Sequence, residues 1–101
     1  MKLLIITAVA AFEKDIKEML QQAEVTTFSY REVKGFQDNS KVEAETNWFG
    51  SEMNETDSFL FYAFVKKENV DVVFDLVGVF NQKQETQSKI HVAVVNIEKS
   101  N

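Results

Sequence analysis

Twice along the chain, a strand-like stretch that is apolar on both faces gives way to a stripe of apolar residues at helical spacing. Residues 3–9 (Leu3-Leu4-Ile5-Ile6-Thr7-Ala8-Val9) and residues 58–66 (Ser58 to Lys66) show no alternation. Such runs suit strands covered on both sides. After the first come Phe12, Ile16, Met19, Leu20 and Ala23, one stripe of a helix over residues 11–23. After the second come Val70, Val73, Phe74, Val77 and Phe80, with Asp71 and Asp75 outside the stripe. That spacing predicts a helix over 69–80 with Asn69 as its N-cap. Residues 25–36 are rich in Val, Thr, Phe and Tyr and read as a strand, with Phe28 and Tyr30 on one face and Val25 and Val33 on the other. Residues 89–97 read as a further strand after a polar connection at 81–88.

The order is therefore β-α-β-β-α-β. It predicts an α+β fold of the ferredoxin-like βαββαβ type, a four-stranded antiparallel sheet with both helices on one face. The first and third strands are central in that topology, and they are the two runs without alternation. Hydrophobic residues make up 45% of the 101 residues, enough for the core of one domain spanning 1–101.

Helices cover only one face of such a sheet. We expect Leu3, Ile5, Phe59 and Phe61 to lie opposite Leu4, Ile6, Leu60 and Phe64. Ile90, Val92 and Val94 should likewise lie opposite Ala93, Val95 and Ile97. Several large apolar side chains, at about 1.5–3 kcal/mol each, would then face water in a monomer. A patch of that kind marks an interface, so the chain is expected to form an oligomer that buries its open sheet faces.

Residues 37–57 show no period and read as one long loop between the second and third predicted strands. They hold Asp38, Glu43, Glu45, Glu52, Glu55 and Asp57 against Lys41 alone, so the whole formal charge of −5 sits there. At its middle is Trp48-Phe49-Gly50. Aromatic side chains on such a segment are typical interface anchors. Trp48, Phe49, Glu52 and Glu55 are the candidate partner-binding residues, with the acidic groups steering a basic surface.

Composition removes several classes of function. The chain has no Cys, which excludes thiolate metal sites, disulfides and a Cys nucleophile. With one His, a multi-histidine metal site arises only between subunits. His91, Glu52 and Met53 are the weak metal candidates. An acidic chain does not favour nucleic acid. No rigid acid–base pair is visible, so the expectation is that the protein is not an enzyme. The apolar start, Leu3 to Ile6, is too short for a signal peptide and Glu13-Lys14-Asp15 soon follows it, so a cytoplasmic location is expected.

The segment Tyr30-Arg31-Glu32-Val33-Lys34-Gly35-Phe36, which leads from the second predicted strand into the long loop, resembles the stretch that opens the T-loop of the PII signal-transduction proteins. The element order and the length resemble that family across nearly the whole chain. The wider superfamily includes CutA-like proteins. The resemblance implies a homotrimer with sheets facing inward and three protruding T-loop-like segments at 37–57. It also implies sensing of a small effector at the clefts between subunits, an adenine nucleotide being the candidate, and a partner such as a membrane transporter. The matching positions make Lys34, Gly35, Phe36 and Gln37 candidate effector-binding residues at the loop base, with Lys83 and Lys89 near the segment corresponding to the family's B-loop. That segment, Asn81 to Lys89, lacks the glycines of the family pattern, and only Lys89-Ile90 matches its end. Residues 37–57 contain no Tyr, so the tyrosine uridylylated in some PII proteins has no counterpart. The alternative is a CutA-like trimer that binds a divalent metal ion.

Overall fold

The computed structural model describes residues 1–38 and 53–101. Its elements are β1 (Lys2–Val9), a short 3₁₀ turn (Ala10–Phe12), α1 (Glu13–Gln22), β2 (Ser29–Asp38), β3 (Met53–Val65), α2 (Lys67–Lys83) and β4 (His91–Asn96). The strands form one antiparallel sheet in the order β2-β3-β1-β4. Both helices contribute to the core on one face, so the fold is the expected ferredoxin-like sandwich with β1 and β3 central.

The register decides which residues face the helices. Leu4 pairs with Ala63 and Val94, and Ile6 with Phe61 and Val92, while Ala8 lies opposite Phe59. Leu4, Ile6, Phe59 and Phe61 are all buried on the helix side. This corrects the expectation that put Phe59 and Phe61 with Leu3 and Ile5. When both faces of a strand are apolar, alternation within each strand gives no phase between strands. The helices complete the core with Ile16, Met19 and Leu20 from α1 and Val70, Val73 and Val77 from α2. Phe12 meets Phe80 edge-on, with ring centroids 4.9 Å apart, and ties the 3₁₀ turn to α2. No polar or charged residue is buried among the described residues.

Several boundaries differ from the sequence expectation: α2 runs to Lys83, into the stretch read as a polar connection, and β4 starts at His91 rather than Lys89. The segment from Val25 is not a strand until Ser29, because the Val25 N–H is taken by the Leu20 carbonyl at 2.9 Å. That bond and the Glu24 N–H to Gln21 O bond at 3.0 Å form a Schellman stop, with Glu24 in the left-handed region at φ 62°. Helix α2 starts at Lys67, not Asn69. Its N-cap is Lys66, which supplies no side-chain bond, and the Asn69 N–H bonds to the Lys66 carbonyl. Finally, the β2–β3 ladder runs on into the stretch read as loop, through Phe36↔Glu55 to Asp38↔Met53.

The open face of the sheet carries Leu3, Ile5, Thr7, Leu60, Tyr62, Phe64, Ala93 and Val95, placed there by their pairing. Phe64 is 57% exposed, Val95 43% and Tyr62 42%. A coherent apolar surface is thus present where the helices are not. No helix among the described residues is long and apolar enough to cross a membrane.

Candidate functional site

At the end of the sheet where β1 stops and β4 begins, β2 and β3 continue toward residues 39–52. The open face there holds a recess of about 370 Å³, lined by Thr7, Val9, Lys34, Gly35, Ser58, Lys89 and His91 among others. The antiparallel register explains the gathering. Val9 lies opposite Ser58, Ser58 opposite Val33, and Thr7 opposite His91. A second recess of about 470 Å³ adjoins at the sheet edge, lined by Ala10, Arg31, Glu32, Lys34 and Asp57 among others, and it shares Lys34 with the first.

Of the effector-binding candidates, the fold brings Lys34, Gly35 and Lys89 to one recess although they come from β2 and the connection after α2. Phe36 is 59% exposed and lines neither recess. Gln37 continues the ladder opposite Asn54. Lys83, in the last turn of α2, is exposed and does not line the recess. Thr7 and Ser58 join the site without any sequence signal, since only the register shows that they share its floor. Gly35 has a packing reason to be glycine. A Cβ there would lie 3.0 Å from the Ser58 Oγ, tighter than ordinary contact.

The two lysines are held differently. Lys34 pairs with the Asp57 carboxylate directly across the β2–β3 ladder, both side chains being exposed. The hydrogen bond it donates to the Asp57 carboxylate, then that carboxylate's charge, hold the Lys34 ammonium above the ordinary lysine value of 10.5. Lys89 donates to the main-chain carbonyl of Asn81 at 3.0 Å, where a cation also meets the carbonyl end of the α2 dipole. An ammonium carries three N–H donors, so this bond leaves two free to turn toward a ligand.

Asn81 fixes where the last strand enters. Its Nδ2 donates to the Ile90 carbonyl at 2.9 Å and its Oδ1 accepts the Ile90 N–H at 2.8 Å. A single side-chain amide thus satisfies both main-chain groups of Ile90, which is buried, and sets Lys89 beside the recess. Sequence inspection had assigned Asn81 only to a polar connection.

Of the partner-binding candidates, Trp48, Phe49 and Glu52 lie outside the described residues, and Glu55 is exposed on β3 opposite Phe36. Of the metal candidates, His91 is exposed on the open face, Glu52 lies outside the described residues and Met53 opens β3. Among the described residues no group of three or more His, Asp or Glu side chains is placed to hold a metal ion.

No protein-family model matches the sequence, and no curated protein matches it either. Solved structures do. The chain is similar to GlnK of B. subtilis, solved as an ATP complex, at 22% identity and a TM-score of 0.65 over 94% of this chain and 82% of that one. It is also similar to CPII, a nitrogen regulatory PII-like protein from Thiomonas intermedia K12 solved with ADP, AMP and bicarbonate. There the identity is 14% and the TM-score 0.63, over 99% of this chain and 94% of that one. A structure of CPII with ADP and bicarbonate matches at 15% identity and a TM-score of 0.63, over 97% of this chain and 88% of that one. The chain has the PII fold.

Proposed function

We propose that the chain is a PII-like regulatory protein that binds a small anionic effector and docks a partner through the segment at 37–57. The observation that carries this reading is the open-face recess in which Gly35, at the base of that segment, meets Lys89 from the connection after α2, with Lys34 at its border. An effector there would touch the arm's root and the start of β4 together. Occupancy would therefore bias how the arm leaves the sheet, which is what a sensor requires.

The effector class follows from the donors. The Lys89 ammonium and the Ser58 and Thr7 hydroxyls suit an anion with hydrogen-bonding oxygens. GlnK was solved with ATP, and CPII with ADP, AMP and bicarbonate, so an adenine nucleotide is the first candidate. A monomer leaves the recess open on the apolar face. In this reading three copies bury Leu60, Tyr62, Phe64 and Val95 against one another, and the effector lies at the clefts between them. The acidic arm then presents Trp48 and Phe49 to a partner, with a membrane transporter as the candidate in a cytoplasmic setting. The reading assigns the protein no catalytic step.

Thermal denaturation with AMP, ADP, ATP or bicarbonate, against divalent metal salts alone, tests the effector claim. Stabilisation that saturates with nucleotide or bicarbonate supports it, by mass action on the folded state. Stabilisation by metal only contradicts it.

A further inference from the structure

Helix α2 carries an apolar surface that its own fold does not use. Val70, Val73 and Val77 are buried in the core. Val79, in contrast, is 48% exposed, Val72 42% and Phe74 38%. The stripe spacing puts Phe74 among the core residues, and the fold leaves it exposed. Steps of three and four residues join Glu68, Asp71, Val72, Asp75, Gly78 and Val79 into one exposed surface, with Phe74 at its border.

That surface is costly to the helix that bears it. A β-branched valine is a weak helix former, and glycine is weaker still. Gly78 lies inside the 17-residue helix, and a Cβ there would meet no atom of the chain within 4 Å. Packing within the chain therefore gives no reason for this glycine. What it leaves is a dip beside Phe74 and Val79 where another backbone comes close.

Charge decides what fits there. Residues 68–82 hold Glu68, Asp71 and Asp75 and no Lys or Arg. Among the described residues no cation forms an ion pair with any of the three. A second copy docked face to face would set these carboxylates against their own equivalents. The acidic segment at 37–57, an anionic lipid surface and a nucleic acid are disfavoured on the same ground. The occupant must bring apolar side chains together with positive charge. The proposed trimer buries the other face of the sheet, so α2 stays accessible in it.

We propose that the outer face of α2 docks a basic amphipathic helix of a partner protein. Its apolar stripe lies on Val72, Phe74 and Val79, its backbone crosses at Gly78, and its flanking cations meet Asp71 and Asp75. The claim does not depend on the effector recess.

Fluorescence anisotropy on the full chain tests it, with a labelled synthetic helix of Leu and Lys, about four turns long, that carries every Leu on one face. A peptide of the same composition with its Leu residues scattered around the helix is the control. The variants are Val79→Ser and Gly78→Gln, both at exposed positions. The expected result is micromolar binding of the one-faced peptide, weakened at least about tenfold by scattering the Leu residues and by either variant. Gly78→Gln should at the same time raise the thermal midpoint, because Gln is the better helix former. A glycine with a merely structural role would not give weaker binding with higher stability. Val79→Ser carries the test alone should Gly78→Gln fail to fold by circular dichroism. Binding left unchanged by both variants, as capture by the acidic segment at 37–57 would give, overturns the proposal. Equal binding of the two peptides overturns it too, as does no binding of the one-faced peptide at millimolar concentration.

Discussion

Single residues set two of the places where the backbone leaves a regular element. At the end of α1, Glu24 takes a left-handed conformation with φ 62° that most L-residues avoid, so that its N–H and that of Val25 can close the Schellman stop. Glycine adopts this conformation freely. Glu24→Gly should therefore raise stability by about 0.5–1 kcal/mol, read as a higher urea midpoint with unchanged slope. Asn81 does the opposite kind of work, since both its amide atoms hold Ile90. Asn81→Ala leaves two main-chain groups at a buried residue without partners and should cost about 1–3 kcal/mol in the same measurement. Neither role was legible in the sequence. Glu24 lies between two apolar stretches and looks like an ordinary surface acid, and a lone Asn in a polar connection gives no sign of which strand it will meet. The loop-base lysine and glycine were legible for a different reason. Tyr30 to Phe36 carry a local pattern, and a Cβ on Gly35 would press on the Ser58 Oγ at 3.0 Å.

At the level of elements, the change from runs without alternation to helical stripes gave the order β-α-β-β-α-β directly, because strand and helix periods differ so clearly in this chain. It could not give the phase between strands. Phe59 and Phe61 went to the helix face, and Leu60, Tyr62 and Phe64 to the open one, and only the pairing of β3 with β1 decides between the two arrangements. The polar stretch at 53–57 gave no apolar signal of a strand either. It is a strand because its backbone pairs with β2, residue for residue. The consequence for the site is direct. The ladder carries Lys34 and Asp57 out beyond the helices as a facing pair, so the arm's root is a two-stranded ribbon and not a loose loop.

Over the whole molecule, the net charge of −5 separates into a neutral, apolar body and an acidic segment at 37–57. The body has two apolar faces and only one pair of helices to cover them. Phe64 and Tyr62 stay exposed on β3, a central strand. In the proposed trimer these side chains are the ones that meet across subunits, and the effector recess is completed by the assembly. Size-exclusion chromatography with light scattering tests that claim most directly, on the natural chain and on Phe64→Glu, which puts a charge on the open face without touching the helix side. The account predicts a mass three times the 11.6 kDa chain for the natural protein, falling to one chain in a variant that keeps its circular dichroism spectrum. A natural chain that runs as an 11.6 kDa monomer at micromolar concentration would contradict it.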